Sequence, residues 1–115
     1  MTDERIRVML VDDHAMVRQG LATFLNMHQD IEVVGMAASG LDLLERFEAL
    51  QPHVILMDLI MPDMSGVDAI REVTKLSSDV CVIALSSFGD KELVRSALEA
   101  GAKGYLLKDI SGEAL

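Results

Sequence analysis

A doubly wound α/β domain with a parallel sheet is predicted by three observations. Five short apolar runs rich in β-branched residues recur along the 115 residues, amphipathic helical patterns fill the gaps between them, and the runs are near-continuously apolar instead of alternating. Strands that are apolar on both faces need a layer on each side, and parallel crossovers supply those layers as helices.

The first run, Ile6 to Val11, is followed by a helical pattern with Val17, Leu21, Phe24 and Leu25 on one face. The second, Ile31 to Met36, precedes Ser39-Gly40, a helix-start pair, and a helix whose apolar face is Leu43, Leu44, Phe47 and Leu50. The third, Val54 to Met57, leads through Ser65-Gly66 into a helix with Val67, Ile70 and Val73 inward. The fourth, Val80 to Leu85, precedes a helix presenting Leu93, Val94, Ala97 and Leu98 and closed by Gly101. The fifth run is Gly104 to Leu107. After it, Asp109 to Leu115 begins like a fifth helix, with Ser111 as cap and Glu113 in the first turn, and then stops. The expectation is a truncated fifth helix on a chain cut from a longer protein.

At this length, with 50% hydrophobic residues, the chain suits one domain with a real core, and a second domain is excluded. Its 19 acidic residues outnumber 10 Lys and Arg, for a net charge of -9, so it lacks the cationic surplus that displaces counterions from nucleic acid. The single cysteine, Cys81 in VCVIAL, reads as a small buried hydrophobe and supports neither a disulfide framework nor a zinc site. No N-terminal apolar stretch resembles a signal peptide and no run has bilayer-spanning length, so no membrane partner and a cytoplasmic location are expected. Eight methionines against 3% aromatic residues imply an aliphatic, methionine-filled core with little area for stacking on bases.

Four charges close apolar runs: Asp12 and Asp13 after IRVMLV, Asp58 after HVILM, and Lys108 after KGYLL. Charges at the ends of buried strands are costly unless they pair with one another or with an ion. In open parallel sheets the carboxyl ends of the strands form the ligand crevice, and adjacency of the first and third runs brings the three acids together there. Their mutual repulsion calls for a hard divalent cation. Magnesium is the first choice because it needs few carboxylates and tolerates a phosphate oxygen, whereas calcium would require more ligands. Singly, Asp12-Asp13 also reads as a helix cap and Asp58 as the start of a turn. Jointly, with a lysine at the fifth run, they read as one site. Ser86 and Ser87 put hydroxyls on the same edge, where serines ordinarily form turns and one can donate to a bound oxyanion. A carboxylate beside magnesium, a lysine and a hydroxyl suits phosphoryl acceptance. With no GxxxxGK[ST] loop and no GxGxxG fingerprint, the donor is expected to be another protein or a small phosphodonor.

These segments, VMLVDDH (8 to 14), VILMDLIMPDMSG (54 to 66), ALSS (84 to 87) and GAKGYLLKD (101 to 109), resemble in order and spacing the receiver domain of bacterial two-component response regulators. The resemblance covers essentially the whole chain, 1 to 115. It implies a flavodoxin-like (βα)5 fold with a five-stranded parallel sheet in the order 2-1-3-4-5, the arrangement of a chemotaxis receiver that is itself a standard example of that order. It further implies that Asp58 is the phosphoacceptor, that Asp13 and Asp58 bind Mg2+ directly with Asp12 helping through water, and that the backbone carbonyl of Ile60 completes the protein ligands. Lys108 would contact the phosphoryl group, Ser86 would be the switch hydroxyl, and Tyr105 the coupled aromatic that turns inward on activation. Read without the resemblance, Tyr105 is a half-buried strand aromatic with a wet hydroxyl.

Lys108-Asp109 stands where many receivers have lysine followed by proline, and with DDH, LSSF and GYLLKD it is similar to the NarL/FixJ subfamily. That implies a C-terminal LuxR-type helix-turn-helix output domain outside this chain and DNA binding only through it. The partners implied are a sensor histidine kinase and a second copy on phosphorylation. The chain would promote only its own phosphorylation and dephosphorylation, controlling transcription as a switch rather than turning over substrate. Ile60 offers no polar side chain to orient water two positions after the acceptor, so slow self-dephosphorylation is expected. His14 reads as a surface residue opening the first helix, and His28 and His53 have no assigned role. Two other classes use the same residues: an acid-nucleophile phosphohydrolase, which resembles DxD instead of adjacent aspartates, and a phosphorylation-independent interaction module.

Overall fold

Each apolar run forms a parallel strand, and each of the four helical patterns between the runs a helix. The computed structural model describes residues 5–61, 63–86 and 91–107. The elements run β1 (Ile6–Val11), α1 (Ala15–Asn26), β2 (Ile31–Ala37), α2 (Gly40–Leu50), β3 (Val54–Asp58), α3 (Gly66–Leu76), β4 (Cys81–Ser86), α4 (Lys91–Ala100) and β5 (Gly104–Leu107). Boundaries depart by a residue from the apolar runs. β2 gains Ala37, β3 gains Asp58, and β4 runs from Cys81 to Ser86, leaving Val80 before it. Strand pairing depends on backbone hydrogen bonds, so a polar Asp58 or Ser86 extends a strand as readily as an apolar residue. The truncated fifth helix expected over 109–115 lies outside the described residues.

The sheet order is β2-β1-β3-β4-β5 with every pairing parallel. Winding reverses at β1, whose neighbours are β2 on one side and β3 on the other, so the crevice between β1 and β3 opens at their carboxyl ends. Strand periodicity divides the side chains between two layers. Met9, Val11, Ile55, Met57, Val82 and Ala84 pack with Leu43 and Phe47 of α2, Ala69, Ile70 and Val73 of α3, and Ala97 of α4. Val8, Leu10, Leu56 and Leu85 face the other way, against Leu21, Ala22 and Leu25 of α1.

The helix starts follow the chemistry of their first residues. Ser39 Oγ accepts from the Asp42 amide and Ser65 Oγ from the Asp68 amide, both at 3.1 Å, each satisfying an amide that the helix leaves unpaired. Gly101, with φ +130°, closes α4 in a conformation that other residues rarely adopt, and its amide bonds Ala97 O at 3.2 Å. Among the described residues, no helix is long and apolar enough to cross a membrane.

Candidate functional site

Parallel register builds the site. Val11 pairs with Met57 across β1 and β3, so Asp12 and Asp58, each the next residue, stand level with one another at the carboxyl edge of the sheet. Their side chains are 1% and 3% exposed. Asp13 is set further out, with its side chain 33% exposed. One ligating atom from each of Asp12, Asp13, His14 and Asp58 lies within 4.8 Å of every other, close enough for a single cation. The donor set, three carboxylates on the sheet edge, fits the hard divalent ion expected from the sequence.

Both turn-forming properties of aspartate are also in use. Asp12 Oδ1 accepts from the His14 amide at 2.8 Å, and Asp58 Oδ1 accepts from the Ile60 amide at 3.2 Å. The turn reading thus holds for Asp12 and Asp58, whereas the helix cap expected of Asp12-Asp13 is not formed, since His14 is the N-cap of α1 and no side chain makes a cap bond there. The Ile60 side chain stands 62% exposed while its amide holds Asp58. Ser86 ends β4, one residue beyond the Leu85 that pairs with Asp58, and is buried at the same edge. Tyr105 of β5 pairs with Ala84 of β4 and is exposed, at 51%, more open than the half-buried setting read from its strand position. Lys108 and Ser87 lie outside the described residues.

Three contributors were not legible in the sequence. His14, expected only to open α1, is indeed its N-cap, but its side chain makes no cap bond. Its Nδ1 lies instead 3.0 Å from Asp12 Oδ1 and 3.1 Å from Asp13 Oδ1. Arg18, one turn into α1, donates from Nη1 to the backbone carbonyl of Asp12 at 2.5 Å. Asp63, in the loop that follows β3, accepts from the amides of Gly40 at 3.1 Å, Leu41 at 2.9 Å and Met64 at 2.8 Å, tying that loop to the start of α2. The Leu41 amide foremost, with those of Gly40 and Met64 and the Ser39 hydroxyl, outweighs desolvation and holds Asp63 below the usual carboxylate range. The signal available for His14 was adjacency to the acidic pair. For Asp63, 23 residues from Gly40, there was none.

The chain is similar to known proteins. The family described as response regulator receiver domain matches residues 8–115. The transcriptional regulatory protein LiaR of Bacillus subtilis (strain 168) is 48% identical over 103 residues, which cover 90% of this chain and 49% of that protein. The response regulator protein VraR of Staphylococcus aureus (strain NCTC 8325 / PS 47) is 44% identical over 108 residues, 94% of this chain and 52% of that protein. The chain thus spans about half the length of the curated relatives it matches. Among solved structures, the signal receiver domain of the response regulator NarL from Mycobacterium tuberculosis superposes with a TM-score of 0.87 at 34% identity, covering 96% of this chain and 90% of that one.

Proposed function

Because the chain belongs to the response regulator receiver domain family, we propose that it works as a phosphorylation-operated switch with Asp58 as the phosphoacceptor. The observation that carries this reading is the convergence of Asp12, Asp13 and Asp58 at the carboxyl ends of adjacent strands, their ligating atoms within 4.8 Å. Asp13, Asp58 and the backbone carbonyl of Ile60 would hold Mg2+, with Asp12 helping through water, and the ion would neutralise the carboxylates and the oxygens of the incoming phosphoryl group.

The Ile60 amide on Asp58 Oδ1 orients the carboxylate, which attacks phosphorus in line while the donor departs with its bonding pair. Arg18 pins the Asp12 backbone and so the end of β1. Lys108, following Leu107 of β5, contacts the phosphoryl group, and the Ser86 hydroxyl donates to one of its oxygens. New bonds from Ser86 to the added charge draw the end of β4 inward, and Tyr105 on the neighbouring strand turns with it. The phosphodonor is a sensor histidine kinase. The readout is self-association and transcriptional control through a DNA-binding output domain of the LuxR type; the name of LiaR, a transcriptional regulatory protein, supports the transcriptional part.

Treatment with acetyl phosphate and Mg2+ followed by intact-mass measurement tests the assignment. The wild-type chain gains one phosphoryl mass, and Asp58→Ala gains none. Uptake that persists in Asp58→Ala overturns it.

A further inference from the structure

We infer that His14 is a further protein ligand at the acidic pocket, and that it admits an octahedral late first-row divalent cation, the class that accepts imidazole nitrogen. The inference rests on the proposed function, which places a divalent ion among the same carboxylates.

The geometry is that of coordination edges. Donor atoms about 2.1 Å from an octahedral ion lie about 3.0 Å apart along each edge and about 4.2 Å apart across it. His14 Nδ1 stands 3.1 Å from Asp13 Oδ1, the spacing of one such edge, and 3.0 Å from Asp12 Oδ1, the carboxylate that would reach the ion through water. The nitrogen and the Asp13 oxygen thus already have the spacing of neighbouring ligands, where a tetrahedral ion would spread them to about 3.4 Å.

The ring is also held and uncommitted to the helix. The His14 amide is anchored on Asp12 Oδ1 at 2.8 Å, the backbone is extended at φ -100° and ψ 115°, and the imidazole makes no cap bond to α1. Coordination through Nδ1 uses the tautomer with hydrogen on Nε2, and the 64% exposed side chain lets Nε2–H face solvent. Three carboxylates alone favour a hard ion such as Mg2+. One imidazole shifts preference toward the ions at the tight-binding end of the first row.

Separate calorimetric titrations of the 115-residue chain with Mg2+ and with Ni2+ test this, using wild type, His14→Ala and His28→Ala. His14→Ala lowers the ratio of Ni2+ to Mg2+ affinity by about tenfold or more, whereas His28→Ala, beyond the end of α1, leaves the ratio as it was. In parallel, substoichiometric Ni2+ broadens the ring proton resonances of His14 in the wild-type chain before those of His28 and His53. A ratio that does not fall in His14→Ala, or broadening of His28 or His53 ahead of His14, overturns the inference while leaving the phosphoacceptor reading intact. A wild-type chain that binds no Mg2+ overturns both.

Discussion

At Gly66 an added Cβ would press on the carbonyl oxygen of Asp58 and come within 2.5 Å of Leu59 Cα. Both are backbone atoms at the site, so neither can swing aside. The Gly66 amide also bonds Leu59 O at 2.9 Å, which locks the start of α3 onto the end of β3. Gly66→Ala is expected to destabilise the chain by about 1–3 kcal/mol as an overpacking change, read as a lower urea midpoint with an unchanged slope. An unshifted midpoint would mean that this contact relaxes without cost. At this scale Asp12, Asp13 and Asp58 were legible because charge at the end of an apolar run is anomalous in one dimension. His14 was not, since its importance lies in where its ring points, and neither spacing nor residue type encodes that.

Among the elements, α2 and α3 met their predicted apolar faces and the two serine caps act as their sequence implied, whereas Leu98 of α4 and Phe24 of α1, read as inward, stand 43% and 37% exposed. The clamp between the loop after β3 and the start of α2 is different. Asp63 gathers the Gly40 and Leu41 amides that a helix leaves without intrahelical partners, and its charge lies at the positive end of the helix dipole. Its folded-state pKa is lowered, chiefly by the Leu41 amide, so folding favours the ionised form. The resulting stabilisation is complete above the unfolded aspartate pKa of about 3.9 and is lost as pH falls below that value through the lower folded pKa. Asp63→Asn should therefore unfold at lower urea than wild type at pH 7, with the gap closing as the solution is acidified below about pH 4. A gap that is constant across that window would show that charge plays no part in the clamp.

Across the whole molecule the two faces of the sheet are unequal. Helix α3 buries Gly66, Ala69, Ile70 and Val73, whereas α1 has no fully buried residue and leaves Met16 83% exposed. Few buried apolar contacts mean a low free energy of local opening. Amide hydrogen exchange should accordingly be faster through α1 than through α3, and equal protection of the two would show that the layers open together.

The sequence by itself determined the parallel α/β architecture and the acidic edge. Apolar periodicity is a property of neighbouring residues, and an unpaired charge beside it demands a partner wherever the chain goes. Only the tertiary structure decided that Val11 pairs with Met57 and so sets Asp12 level with Asp58, that Asp63 reaches α2, and that the His14 ring turns onto two carboxylates. Those are distances between segments brought together by packing. Register and rotamer, which no one-dimensional pattern carries, turn an acidic edge into a site with a geometry.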